Sequence, residues 1–317
     1  MAEAPSISVQ IPVRDGGLMF GRTLLSLASQ DTGGAGWELI LVDDGSEVPV
    51  EEQFAGELRS MPPEAAIRVL RTEGAGNRPV ARNRAWQESG APLALLMDAD
   101  LEFGPGLLAS HLRVHGAVDA DAVMGARVNG WADDASPWQK WFDTRAMGSA
   151  PPGPFPWRYF ITGNLSIRRS LLERSGGFDP AIDRYGGEDT ELGYRLGGMG
   201  VRFHWDPSLR VNHLDTVTVR RHSEKMNEYG ATGLRYTLEK HPGAAGLLGS
   251  HWTGPFFRKP FTPGIAVMRA VTAAALSPSL YRAVLRYMEL RGRPRFLFTY
   301  LSVGACLMGL SGRDWRR

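Results

Sequence analysis

The chain has 317 residues, 43% of them hydrophobic and 22% charged, with a formal net charge of +2. This ordinary globular composition suits one large α/β domain, or one such domain with an appended helical segment. Cys306 is the only cysteine, which rules out an internal disulfide and cysteine-based metal ligation and fits a reducing compartment.

The N-terminus leads directly into Ile7–Ile11, which reads as a strand and not as a signal peptide. Glu38–Val42, Ile67–Leu70 and Leu93–Met97 are similar short apolar runs bounded by Pro, Gly or Asp, the pattern of strands buried on both faces. Helical stretches alternate with them at Leu18–Gln30, Val50–Ser60 and Pro79–Ser89, with Pro79 suited to a first helical turn. This alternation predicts a doubly wound α/β domain whose ligand lies beyond the C-terminal strand ends. Further on, Ala122–Val128 and Tyr159–Ile167 read as strands, and Ser136–Thr144 and Ser170–Arg174 as short helices. Trp131–Trp157 is rich in Trp and Pro and reads as a loop-rich surface. Asp189–Gly197 is a helix stopped by glycines, and Val201–Trp205 and Leu209–Asn212 are two short strands. From Thr218 the chain is helical, through Thr218–Lys240, Val267–Ala275 and Ser279–Leu290, with a break around His241–Pro263. No apolar run reaches the roughly 20 uncharged residues of a membrane span; Phe296–Gly312 comes nearest and reads as a buried or interfacial helix.

The chemistry-bearing residues cluster at strand ends. In Asp98-Ala99-Asp100 the two carboxylates stand two residues apart, about 6–7 Å in an extended chain. One can accept a ribose hydroxyl while the other holds a hard cation on diphosphate oxygens. Asp44, in Asp43-Asp44-Gly45-Ser46, can accept from a nucleobase or ribose, in a segment that is also a strong turn signal. Arg78 and Arg82 share a helix face and suit phosphate, although surface arginines are common; Arg84 lies nearby. Gly186-Gly187-Glu188-Asp189 combines backbone freedom with acidic residues at a helix start, which serves a general base or simply a well-capped helix. Glu191 and Arg195 form an i,i+4 pair. His213 could complete a cation's shell, or be structural.

Taken in order, Ser8-Val9-Gln10-Ile11-Pro12-Val13-Arg14-Asp15, Val42-Asp43-Asp44-Gly45-Ser46, Ala81-Arg82-Asn83, Leu96-Met97-Asp98-Ala99-Asp100, Gly163-Asn164, Gly176-Gly177-Phe178-Asp179 and Gly187-Glu188-Asp189 resemble a family-2 glycosyltransferase over Ile7 to Asp215. The segment from Gly186 to Arg195 also resembles polypeptide N-acetylgalactosaminyltransferases and chondroitin-polymerase-like enzymes. The resemblance implies a GT-A fold: a Rossmann-like mixed sheet flanked by helices, with catalytic residues in 1–215 (nucleotide half 1–100, acceptor half 101–215) and a helical extension at 216–317. It implies an inverting single displacement that moves one sugar from a nucleoside-diphosphate sugar, UDP most commonly, with Asp189 as base and Glu188 beside it. Asp44 would meet the base, Asp98 the ribose, and Asp100 with His213 a Mn²⁺ or Mg²⁺ ion. Pro12, Arg14, Arg78 and Arg82 would line the nucleotide, and Gly163, Asn164 and Gly187 the sugar or acceptor. No Gln-x-x-Arg-Trp signature of processive synthases is present, so single-sugar transfer is expected. A sugar nucleotidyltransferase and a non-catalytic sugar-nucleotide-binding protein are the rival readings.

Eight arginines lie between Arg282 and Arg317, opposed only by Glu289 and Asp314. Such a tail suits an anionic surface or is a solvated basic face. The expectation is a cytoplasmic protein without a nucleic-acid partner, peripheral on the inner face of a membrane or paired as a homodimer through its C-terminal helices.

Overall fold

A computed structural model describes residues 4–72, 76–129, 136–145, 147–148, 150–248, 267, 270–272 and 274–316. The chain divides into two compact units: Met1–Asp133, Asp143–Asp183 and Glu191–Thr216 form the first, and Asp134–Phe142, Arg184–Thr190 and Val217–Arg317 the second.

The first unit is built on one mixed sheet. Its strands are β1 (Ile7–Val13), β2 (Trp37–Asp43), β3 (Ala65–Arg71), β4 (Leu93–Met97), β5 (Leu101–Glu102), β6 (Ala122–Val128), β7 (Gly153–Pro154), β8 (Asn164–Arg168) and β9 (Phe203–His213). Their order is β3-β2-β1-β4-β8-β6-β9-β5, with β7 on β9. β1 to β4 pair parallel. β8 is antiparallel to both β4 and β6, and β6 is parallel to β9. It follows that β1, β2, β3, β4, β6 and β9 all point the same way, so their C-terminal ends share one edge. β2 and β4 are buried along their whole length, as expected of parallel strands covered on both faces.

The helices of this unit are α1 (Gly17–Ala28), α2 (Val50–Gln53), α3 (Ala55–Arg59), α4 (Arg78–Gln87), α5 (Leu107–Ala117) and α7 (Arg169–Ser175), α6 belonging to the second unit. α8 (Glu188–Gly198) starts in the second unit and continues in the first. Asn77 caps α4 by accepting from the Val80 amide, with Pro79 in the first turn where no amide is missed.

Four details depart from the sequence reading. Val50–Ser60 is two short helices interrupted at Phe54. Tyr159–Ile167 is a short 3₁₀ turn followed by β8, because Gly163 takes φ +109° just before the strand. The two strands expected at 201–212 are the single β9, whose pairing with β6 is offset between Gly125 and Arg127. Trp138 and Trp141 are not surface platforms: they stack at 5.1 Å, and Trp138 belongs to the core of the second unit. Trp131 and, within Val267–Ala275, residues 268, 269 and 273 fall outside the described residues.

The second unit contains α6 (Pro137–Phe142), α9 (Val219–Tyr229), a π-turn at Gly230–Leu234, α10 (Arg235–Lys240), α11 (Ala244–Leu247), α12 (Pro278–Arg291) and α13 (Phe296–Leu310). Its core is Trp138, Tyr281, Leu285, Met288, Phe298, Leu301, Ala305, Met308 and Trp315. α9 and α13 touch backbone to backbone, since a side chain at Gly230 or Gly309 would collide with the other helix. Among the described residues no helix is long and apolar enough to cross a membrane.

Candidate active site

The shared C-terminal edge of the sheet gathers Arg14 after β1, Asp44 after β2, Asp98 and Asp100 after β4, Arg127 and Asn129 at the end of β6, and His213 at the end of β9. Gly163 reaches the same edge through its bridge to Met97.

Asp43 and Asp44 have separate tasks. Asp43 accepts from the Ser46 and Val50 amides and pairs with Arg71 at 3.3 Å, so it builds the turn and the start of α2. Burial pushes its carboxyl up, but those partners outweigh burial and hold it low. Asp44 is also buried, and there burial outweighs its partners. Burial raises its carboxyl above the usual range, against the Thr72 hydroxyl at 3.1 Å, the Arg14 charge and the Gly76 and Asn77 amides. Gly76 has φ +79°, and a side chain there would meet Arg14 Nη1 at 2.8 Å. Pro12 falls past the last β1–β4 pair, Gln10↔Leu96, where no ladder bond with β4 is at stake.

Asp98 is held from both sides. Arg82 Nη2 donates to its Oδ1 at 3.1 Å, and Arg127 Nη1 donates to Oδ2 at 2.6 Å. Burial alone would raise this carboxyl, but the guanidiniums of Arg127, Arg82 and Arg78 hold it below the usual range. Arg82 is buried, lies 5.6 Å from the centre of the Phe178 ring, and leaves Nε and Nη1 without a hydrogen-bond partner among the described residues. Two buried donors on a fixed cation are what an anionic ligand would satisfy. Arg84 instead turns to the Arg71 carbonyl.

Asp100 Oδ2 lies 3.2 Å from His213 Nε2. The β5–β9 ladder, Leu101↔His213 and Glu102↔Asn212, sets this distance, helped by the Leu214 amide donating to the Asp100 carbonyl. His213 Nδ1 faces Asn129 Oδ1 at 3.2 Å, while Asn129 gives its Nδ2 to Asp143 at 2.6 Å. With its amide nitrogen so used, Asn129 offers oxygen, and Nδ1 of His213 is the donor. In a neutral ring, Nε2 then directs a lone pair at a carboxylate oxygen, a contact that requires a cation between the two: a proton or a metal ion. Two ligands at right angles on an ion at about 2.1 Å stand roughly 3 Å apart, so the pair has the spacing of shared ligation. The carboxylate oxygen suits Mn²⁺ or Mg²⁺, and the imidazole nitrogen tips the pair away from Mg²⁺, which prefers oxygen. Among the described residues no cluster of three or more His, Cys, Asp or Glu side chains forms a ready cage, so the remaining ligands would be substrate oxygens and water.

Asn164, Gly187, Glu188 and Asp189 each have surroundings of their own. Asn164 is buried inside the sheet, with Nδ2 donating to the Leu209 and Ala126 carbonyls and Oδ1 facing His111 Nε2 at 3.0 Å. Its amide protons are therefore committed to strand packing. Gly187 is buried and packs on the backbone of Gly233, while Gly186 lies against the Tyr229 ring. Glu188 is buried and Asp189 half-buried at the start of α8, and Thr190 Oγ1 meets Tyr229 Oη at 3.3 Å. Glu191 and Arg195 do pair, at 2.6 Å, and Arg195 also holds the Ser175 and Gly177 carbonyls.

Arg127, Asn129 and Thr72 were missed from sequence, and Asn83 was quoted only as part of the Ala81-Arg82-Asn83 motif. The rule that ligands gather at C-terminal strand ends could have flagged Arg127 and Asn129, because Ala122–Val128 was read as a strand. Asn83 exchanges two hydrogen bonds with the backbone of Phe178, at 2.7 and 2.8 Å, and so joins two motifs far apart in sequence.

Acidic residues, arginines and a histidine thus share one edge of a mixed sheet. The family profile "Glycosyl transferase family 2" matches residues 8–178, and the chain belongs to that family, with a GT-A fold. A second profile, "N-terminal domain of galactosyltransferase", matches residues 146–223. Validoxylamine A glucosyltransferase of Streptomyces hygroscopicus subsp. limoneus is 28% identical over 228 residues, 63% of this chain and 49% of that protein. The chain spans about half the length of the curated relatives it matches. Among solved structures, the mannosyltransferase PcManGT from Pyrobaculum calidifontis, in complex with GDP-Man and Mn²⁺, superposes with TM-score 0.61 at 18% identity, over 98% of this chain and 89% of that one. GalNAc-T7 with UDP, GalNAc and Mn²⁺ gives TM-score 0.53 at 16% identity, over 77% and 52%. At these identities the likeness is one of fold.

Proposed function

We propose that this glycosyltransferase is metal-dependent and inverting, and that it moves one sugar from a nucleoside-diphosphate sugar to an acceptor nucleophile. The observation that carries this reading is the Asp100–His213 pair beside an Asp98 carboxylate clamped by Arg82 and Arg127.

Asp100 and His213 are the residues to hold a divalent cation, whose chemistry would be to offset negative charge on the leaving diphosphate. Arg82 and Arg78 supply fixed positive charge for the same phosphates. Asp98 is oriented to accept a ribose hydroxyl. Asp44, in its partly desolvated pocket with Arg14, accepts from the base. Asp189 takes the proton of the acceptor hydroxyl as that oxygen attacks the anomeric carbon, and the nucleoside diphosphate leaves from the opposite face. Its place at a helix start after two glycines, and the motif resemblance, support this role.

UDP is the expected carrier. GDP-Man and UDP accompany the structural neighbours PcManGT and GalNAc-T7 respectively. The test is a thermal-shift series with UDP, GDP, ADP, CDP and dTDP, each with and without Mn²⁺. One base stabilising the chain only with metal present supports the reading. Equal shifts with and without metal for every nucleotide would count against metal dependence.

A further inference from the structure

Helix α12 carries apolar side chains on two opposite faces. Tyr281, Leu285 and Met288 are buried in the core of the second unit. On the opposite side, at helical spacing, Leu280, Ala283, Tyr287 and Leu290 face solvent, Leu290 at 76% exposure. Phe296, at the start of α13, adds a ring 69% exposed. A solvated helix face is normally polar, so this second stripe is not explained by folding.

Its flanks are basic. Arg286 borders the stripe on one side and Arg291 on the other, and Arg293 and Arg295 follow in the turn before Phe296. All four are exposed and have no ion pair among the described residues. The nearby acidic groups are already engaged: Glu289 by Arg220 at 2.8 Å and Asp314 by Arg316 at 2.8 Å. The patch therefore combines an apolar ridge with unneutralised guanidiniums.

We propose that the outer face of α12 with Phe296 docks on an anionic lipid bilayer, the helix lying flat in the interface. At 14 residues, α12 is roughly 20 Å long, too short to span hydrocarbon but ample to lie on it. The apolar side chains enter the headgroup boundary while the arginines meet lipid phosphates. A second copy of the chain is the poorer occupant. A two-fold contact through this face would set the arginines against their own counterparts, and like charges so juxtaposed are strongly disfavoured.

The test is co-sedimentation of the full chain with vesicles of phosphatidylcholine, alone or with about one-third phosphatidylglycerol, at low and at high salt. Binding only to the anionic vesicles, lost at high salt, supports the proposal. Each of Arg286→Gln, Arg291→Gln, Arg293→Gln and Arg295→Gln should weaken binding roughly fivefold. Leu290→Ser with Phe296→Ser should weaken it about tenfold or more, with unchanged melting temperature. No binding to anionic vesicles at low salt would overturn it. So would equal binding to neutral vesicles, or binding indifferent to these substitutions. A solution dimer that Leu290→Asp converts to monomer would assign the face to a second copy instead, and also overturn it.

Discussion

Arg127 Nη1 stands 2.6 Å from Asp98 Oδ2, opposite the Arg82 guanidinium on Oδ1, so a strand-end carboxylate is fixed by two cations from different parts of the chain. Removing one should loosen the carboxylate without unfolding the sheet, since Arg127 is partly exposed. Arg127→Gln is expected to raise the donor KM about tenfold with a smaller change in kcat. Steady-state kinetics over a donor series checks it; an unchanged KM would show that Asp98 needs no second clamp.

His213→Ala removes the proposed nitrogen ligand and should weaken the Mn²⁺ dependence of donor binding by about 10-fold to 100-fold. Asn129→Ala, which frees the ring to turn, should have the same direction and a smaller effect. Calorimetric titration of Mn²⁺ in the presence of nucleoside diphosphate measures both. Identical metal affinity in wild type and His213→Ala would refute the ligand assignment.

Asp189→Asn should lower kcat by about 10²-fold to 10⁴-fold while donor affinity stays within a few-fold. Single-turnover rates and equilibrium donor binding separate the two effects. Parallel loss of both would assign Asp189 a binding or folding role.

Gly163→Ala should destabilise the protein by about 1–3 kcal/mol and weaken donor binding. The backbone there has φ +109°, and a methyl group would lie 2.6 Å from Asp98 Oδ2. Urea unfolding and donor titration give the two readouts. A variant as stable as wild type would mean that the Asp98 loop yields freely.

Two histidines predict acid lability. His111 spans Ser166 and Asn164 at 2.8 and 3.0 Å in the sheet interior, and His115 reaches Ser166 at 2.9 Å. Burial lowers each imidazole from 6.5 to about 4. Between those values the unfolded chain binds more protons than the folded one, so their contribution is full above pH 6.5 and falls as the pH drops toward 4. Urea midpoints at pH 7.5, 6 and 5 should decline, and His111→Gln should flatten the decline. A pH-independent midpoint would contradict burial of the neutral rings.

The first hundred residues were legible because their signals are local. Uniform burial of β2 and β4 imposes continuous apolar runs, and each run ends in the carboxylates gathered at the sheet edge. The choice of Asp44 over Asp43 came from the family resemblance; in the structure Asp43 serves the turn through the Ser46 and Val50 amides. Arg127 was not legible because its partner lies on another strand and no local pattern marks it. Asn164 presents the opposite case. A polar residue beside a motif glycine looks like a ligand contact, yet its amide ties β8 to the Leu209 and Ala126 carbonyls. The single β9 was hidden by Asp206-Pro207-Ser208, whose turn-like composition is absorbed as an irregularity within a continuous strand.

The two-residue ladder that joins β5 to β9 has an evolutionary reading. Asp100 and His213 are distant along the chain, but backbone pairing at Leu101↔His213 sets their separation, and the intervening polypeptide does not. Changes of length in the loops on either side of β8 are therefore compatible with that spacing, provided that β8 keeps its place between β4 and β6. Chimaeras that exchange those loops alone should retain the parent's affinity for the cation.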